Sequence, residues 1–273
     1  MPKTIKKTGE RIVPEKFESK EEYLIYLRHM FAYEFGKKVI SKKSSILEVG
    51  SGSGYGASML SKNVIDITGL DVDGDAIEYS TEKYNSENCI FKKYDGVKIP
   101  YKNNTFDAVI SFQVIEHIKN DKNYVSEIRR VLKDNGIFLL TTPNKLLRIK
   151  PDQKPFNRFH IREYFPFELE NVLKTKFSDV KVFGICGNAE IQQIEILRIK
   201  KILTIISFDF LNLRKIILES IRLSIIRIIK RITCKNSANK DKESFLNKYN
   251  LGDFYITKRD IKNSIDLIGI CRK

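Results

Sequence analysis

The sequence predicts an α/β protein, a Rossmann-like doubly wound sheet, and three observations carry that expectation. Across residues 45–185, short runs rich in β-branched residues alternate with helical patterns. The first run ends in alternating glycines ahead of a helical stretch. The second ends in an aspartate, at the edge where open α/β sheets bind their ligands.

Taken along the chain, residues 20–40 read as an amphipathic helix. Strands are expected at 45–50, 64–71, 89–95, 106–112, 136–143 and 179–185, with helices near 54–62, 75–85, 121–133 and 163–176. The third of those helices stops at Asp134-Asn135-Gly136, which suits a helix end and a turn. Residues 190–235 are basic and apolar at helical spacing, and the Ile-rich stretch 264–273 looks like one more strand. The expected organisation is a lid segment and helix (1–44), a ligand-binding core (45–187), a basic amphipathic insertion (188–250) and a final strand of the core sheet (251–273).

Composition narrows the function classes. Over 273 residues, 42% hydrophobic and 30% charged residues describe a folded chain, not a disordered one. The formal charge of +15 calls for an anionic partner: nucleic acid, a membrane surface or an anionic substrate. The cysteines, Cys89, Cys186, Cys234 and Cys271, form no CxxC pair, so neither a zinc site nor a disulfide framework is expected, and a reducing cytoplasm is the default. The amino terminus lacks the apolar stretch of a signal peptide, and Lys and Arg interrupt every apolar run before it reaches the length of a spanning helix.

The chemistry concentrates at residues 46–56, ILEVGSGSGYG. Gly50, Gly52 and Gly54 let the backbone turn tightly and approach a ligand closely, and a helix start adds N–H donors. Spaced also as Gly52-x-Gly54-x-x-Ala57, the turn by itself admits a nicotinamide dinucleotide as well as S-adenosylmethionine (SAM). Two acids favour SAM. Glu48, two residues before the first glycine, suits the ammonium of a methionine moiety, and Asp71 at the end of the second strand suits both ribose hydroxyls. Asp95 closes the third strand, where it serves either an adenine amino group or an ordinary turn before Gly96. Gln113 and His117 lie on 111–117, again at the carboxyl edge of the sheet.

With these residues the sequence resembles the class I SAM-dependent methyltransferases, in the branch holding ubiquinone-type O-methyltransferases and those of polysaccharide gene clusters. The matching stretches are TGERIVPE, ILEVGSGSGYG, TGLDVD, YDGVKIPYKNNTFDAVISFQVIEHI, EIRRVLKDNGIFLLTTPN and NRFHIREY, within residues 8–187. The resemblance implies SAM as cofactor, held by Glu48, Gly50, Gly52 and Asp71, with Asp95 near the adenine and Gln113 and His117 lining the cleft. It implies a seven-stranded sheet ordered 3-2-1-4-5-7-6 with the last strand antiparallel, and a lid in which Arg11 and Glu15 cap the site. Gln113 stands where many relatives carry Glu, and Arg158 replaces a common proline. The activity implied is methyl transfer to a hydroxyl of a small-molecule, lipid or glycan acceptor.

A hydroxyl acceptor benefits from a base near neutral pH, and histidine serves that role. Of only three histidines, His29, His117 and His160, the last two are the candidates. Residues 196–235 carry ten Lys or Arg against Asp209 and Glu219, a net +8. Leu218, Ile221, Ile225, Ile228 and Ile232 fall on one helical stripe there. That pattern suits an interfacial helix on anionic lipid, placing the protein peripherally on the inner face of the membrane, or a further helical layer or dimer surface. Nucleic acid is disfavoured for want of an aromatic-interleaved basic patch. Two alternatives remain: an NAD-dependent oxidoreductase, whose YxxxK spacing recurs at Tyr79 and Lys83 in the wrong part of the sheet, and a noncatalytic SAM-binding membrane protein.

Overall fold

The computed structural model describes residues 12–14, 17, 19–149, 153–207 and 245–273. Its centre is one mixed sheet of eight strands: β1 (Ser45–Val49), β2 (Asp66–Asp71), β3 (Cys89–Lys93), β4 (Phe106–Phe112), β5 (Leu132–Pro143), β6 (Asp179–Gly187), β7 (Phe254–Thr257) and β8 (Asp266–Arg272). In space they run β3-β2-β1-β4-β5-β8-β6-β7. The first five pair in parallel, while β8 is antiparallel to both β5 and β6.

Helices cover both faces, which is why the central strands are apolar throughout rather than alternating. Ile46, Leu47 and Val49 of β1 are fully buried. On one face Ile46 and Ile110 pack with α1 (Lys20–Val39) and α2 (Tyr55–Ser61) through Leu24, Leu27, Tyr33, Ala57 and Leu60. On the other, Leu47, Val109 and Phe138 meet α4 (Asp121–Val131) and α6 (Pro166–Lys174) through Val125, Ile128, Leu169 and Leu173. Local signals set the helix starts: Ser19 caps α1, Asp73 caps α3 (Gly74–Tyr84), Asn120 caps α4, and Pro166 opens α6. The remaining helices are α5 (Lys145–Arg148) and α7 (Ala189–Ser207).

Two expectations need correction. The sheet has eight strands, not seven, because β7 adds an antiparallel edge to β6 from Gly184↔Thr257 to Gly187↔Phe254. At four residues β7 is too short to show a period-2 pattern, so 251–273 read as a single strand. α4 also ends at Val131 and β5 begins at Leu132, which pairs with Phe106 ahead of a register shift. The final strand inserts between β5 and β6 as expected. Arg11, Glu15 and the stripe from Leu218 to Ile232 lie outside the described residues.

Candidate active site

Strand order reverses between β1 and β4, and a cleft of about 520 Å³ opens there at the carboxyl ends of the strands. The glycine turn and Asp71 form one end; Gln113, Val114 and His117 form the other. His29 and Tyr33 of α1 border it from above.

The turn is built by hydrogen bonds. The N–H groups of Gly50 and Ser51 both donate to the Leu70 carbonyl, at 2.7 and 2.9 Å. Gly52 N–H donates to Asp71 Oδ2 at 2.7 Å, and Asp73 N–H donates to Asp71 Oδ1 at 2.9 Å. Asp71 is therefore held rigidly while each oxygen retains accepting capacity toward the cleft. Gly50 has φ +81°, and a Cβ there would stand 2.3 Å from Val114 Cγ2. Gly52 has φ +53° with nothing within 4 Å of such a Cβ, so the turn leaves open space above it. Ser51 Oγ is buried at the cleft and has no hydrogen-bond partner among the described residues. Such a bed, with tight backbone, an orphaned hydroxyl and a fixed carboxylate, fits the amino-acid and ribose parts of SAM.

Four expected residues stand apart from the cleft wall: Gly54, Glu48, Asp95 and His160. Gly54 seats the turn on α3 and β3, where a Cβ would come within 2.5 Å of Ser80 and 2.9 Å of Phe91. Glu48 lies beneath the turn, fully buried, and accepts a short hydrogen bond from Tyr33 Oη on Oε1; its Oε2 has no partner among the described residues. Burial pushes its carboxyl up to about 8, against the pull of that hydrogen bond. Asp95 is exposed, and its Oδ1 accepts from the N–H groups of Val97 and Lys98 at 2.8 and 2.9 Å, the turn geometry. Its neighbours Tyr94 and Gly96 line the cleft instead, with Val72.

At the opposite end, Gln113 adopts φ +58°, and its amide nitrogen donates to Thr141 Oγ1 and Asp266 Oδ2 at 3.3 and 3.2 Å. The turn Ile115–His117 then carries Glu116 inward and His117 to the cleft. His117 Nδ1 donates to the Phe159 carbonyl at 2.9 Å, which places the ring's lone pair on Nε2. His160 stands edge-on behind His117, ring centroids 4.9 Å apart, with Nδ1 2.9 Å from Glu163 Oε1. Glu163 is buried and also bound by Arg148 Nε at 3.0 Å. Burial opposes its ionisation, but His160 and Arg148 outweigh burial and hold the carboxyl below its usual range.

Glu116 escaped the sequence reading. It is fully buried, its Oε2 accepts from Thr142 Oγ1 at 3.0 Å, and burial pushes the carboxyl up to about 7. The available signal was an acid set between Ile115 and Ile118 beside a histidine. An acid among apolar residues is either paired or functional.

Residues 47–140 match a family described as a methyltransferase domain. A probable S-adenosylmethionine-dependent methyltransferase of Mycolicibacterium smegmatis is 32% identical over 195 residues, 70% of this chain and 74% of that protein. A ubiquinone biosynthesis O-methyltransferase of Rickettsia canadensis is 31% identical over 113 residues, 38% of this chain and 44% of the relative. Among solved structures, a SAM-dependent methyltransferase of Thermotoga maritima superposes with a TM-score of 0.55 at 12% identity, covering 93% of this chain and 95% of its own, a likeness of fold.

Proposed function

The chain belongs to the SAM-dependent methyltransferases and takes S-adenosylmethionine as cofactor; from that premise we propose that it methylates a hydroxyl of a small-molecule, lipid or glycan acceptor. One observation carries the proposal: a single cleft joins the glycine turn and Asp71 to His117, with His160 and Glu116 directly behind.

The cofactor supplies a methyl carbon made electrophilic by its sulfonium sulfur. Asp71 would hold the ribose hydroxyls, and Gly50, Gly52 and Ser51 the methionine end. Glu48 would face the ammonium, whose positive charge favours ionisation of a carboxyl that burial otherwise holds up, with Gly54 bracing the turn. Tyr94 and Gly96, on either side of the turn that Asp95 holds, would attend the adenine end, and Gln113 the middle of the cleft. Displacement at the methyl carbon needs mainly orientation and the exclusion of water, and α1 provides the cover through His29 and Tyr33. A hydroxyl must also lose its proton, and His117, which borders the cleft, or His160 behind it would assist. The Rickettsia relative's name supports oxygen as the methylated atom.

The proposal extends to a cytoplasmic enzyme working at the inner membrane face. Of the charged stretch 196–235, residues 196–207 are described, and there Arg198 turns inward onto Glu195 while Lys200 and Lys201 are exposed. No described helix is long and apolar enough to cross a membrane. Flotation with anionic vesicles tests the surface role, and absence of binding removes it. The oxidoreductase alternative loses its one motif: Lys83 Nζ bonds Tyr79 Oη at 3.1 Å on α3, with Tyr79 packed against Val13 and Ala76.

Incubation with methyl-labelled SAM and fractionated extracts tests the proposal. Transfer of label to a fraction that loses it on demethylation of ethers supports O-methylation. Label on nitrogen or carbon, or none on any fraction, overturns it.

A further inference from the structure

We propose that Asp266 is a positioning residue for methyl transfer: it turns the Gln113 amide so that Oε1 meets a second hydroxyl of the acceptor, beside the oxygen that is methylated. β8 runs antiparallel to β5, so its first residue, Asp266, pairs with Pro143, the last of β5, at the carboxyl edge where the cleft opens. Its carboxylate is buried there.

Gln113 lines the cleft with φ +58°, a left-handed conformation that is strained for a residue with a side chain. Its backbone N–H donates to the Thr141 carbonyl at 2.9 Å, and its Nε2 donates to Thr141 Oγ1 and Asp266 Oδ2. Both amide N–H groups are thereby committed. The reverse orientation would set Oε1 3.2 Å from a carboxylate oxygen, acceptor against acceptor, so the charge of Asp266 decides which end of the amide faces the cleft. Arg28 Nε, 2.6 Å from the same Oδ2, sustains that charge in a buried place and ties it to α1, one residue before His29 at the cleft. Oε1 is left without a hydrogen bond among the described residues, on a half-buried side chain.

The clamp stands on this geometry alone; the partner of Oε1 rests on the methyl-transfer proposal above. An amide oxygen accepts a hydrogen bond but is too weak a base to take a proton. The oxygen that attacks the methyl carbon must give its own proton to a base, so it is not the group that donates to Gln113. The donor is a second group on the acceptor. A cationic donor would be met better by a carboxylate, whereas a neutral amide oxygen suits a neutral hydroxyl. The nearby buried acids are no rival partners, because Asp266 is paired with Arg28 and Glu195 with Arg198. The acceptor class that follows carries neighbouring hydroxyls, as a sugar or a catechol does.

The full-length protein labelled with ¹⁵N-glutamine reads the clamp without any acceptor. The Gln113 side-chain NH₂ pair, assigned by its loss in Gln113→Met, is expected to exchange slowly with solvent. Asp266→Asn keeps the side-chain volume but turns a charge-assisted bond into a neutral one, and Thr141→Val removes the other bond; each should speed exchange about tenfold. Gln192, whose Nε2 donates to the Asn263 carbonyl at 2.6 Å, should stay as it was. Unchanged Gln113 exchange in Asp266→Asn means that the acid serves Arg28 alone and overturns the positioning role. Methyl-labelled SAM, with the extract fraction that the wild type labels, reads the acceptor role. Gln113→Met should lower kcat/KM for that fraction about 10–100-fold, with SAM affinity by calorimetry within about twofold. Weakened SAM binding assigns Oε1 to the cofactor and overturns the acceptor role. A labelled product whose mass-spectrometric fragments show no free hydroxyl beside the new ether also overturns it; one that does show it tells sugar from catechol. No label on any fraction overturns the methyl-transfer proposal and the partner of Oε1 with it, while slow amide exchange leaves the clamp standing.

Discussion

Beneath the cleft, Glu48 and Glu116 each keep one carboxylate oxygen without a hydrogen-bond partner among the described residues, and burial raises them to about 8 and about 7. Where α1 and α7 pack together, Glu195 is just as enclosed yet ends near 2. Burial opposes its charge, but Arg198 and Arg28 prevail. Asp266 stands between the two regions, with Oδ2 2.6 Å from Arg28 Nε and in reach of Gln113, and Oδ1 without a hydrogen-bond partner among the described residues. The contrast separates two uses of a buried acid. Arginine-paired acids hold helices onto the sheet, whereas acids left bare beside a cleft are completed by what binds there.

The largest expected effect breaks the paired region. Glu195→Ala takes from Arg198 its ion-pair partner, while Arg28 keeps Asp266, and should cost about 3–5 kcal/mol in denaturant unfolding, with the SAM affinity of the folded protein unchanged. A loss below about 1 kcal/mol would erase the distinction. On the cleft side the pattern should invert. Asp71→Ala removes the acceptor proposed for both ribose hydroxyls and should weaken SAM binding about 100-fold by calorimetry, with a smaller loss of stability from the freed Gly52 N–H. Glu48→Gln should leave stability within about 1 kcal/mol below pH 4.5, where the carboxyl is protonated, and weaken SAM binding at neutral pH about tenfold, one charge-assisted interaction.

The smallest effect is in the pH dependence of melting without ligand. Glu48 is raised from 4.5 to about 8 in the fold, so its contribution is full below pH 4.5 and is lost as pH rises toward 8. Glu195 is lowered from 4.5 to about 2, so its contribution is present above pH 4.5 and is lost as pH falls toward 2. Glu48→Gln should flatten the alkaline limb and Glu195→Gln the acid limb. Equal effects of the two variants on one limb would show that the acids belong to a single network.

Much of this was legible in the chain because the signals are local. The glycine positions follow from backbone conformation, and Asp71 follows from standing at the end of a strand beside that turn. Glu163 and Arg148 were not legible: fifteen residues apart, they meet only because Tyr164 bridges to Asn144 beside β5. Glu116 was visible as an acid in an apolar run, but only the fold shows that His160, forty-four positions on, turns toward it.

By itself the sequence determined the class of fold, the cofactor and the order of the ligand-bearing segments, since strand periodicity, turn chemistry and strand-end acids are written in consecutive residues. The tertiary structure alone decided the eighth strand, the inward turn of Arg198 and the meeting of two histidines with a bare carboxylate. Each depends on contacts between residues far apart in the chain, and burial, not residue type, decides whether an acid there is paired, neutral or waiting for a ligand.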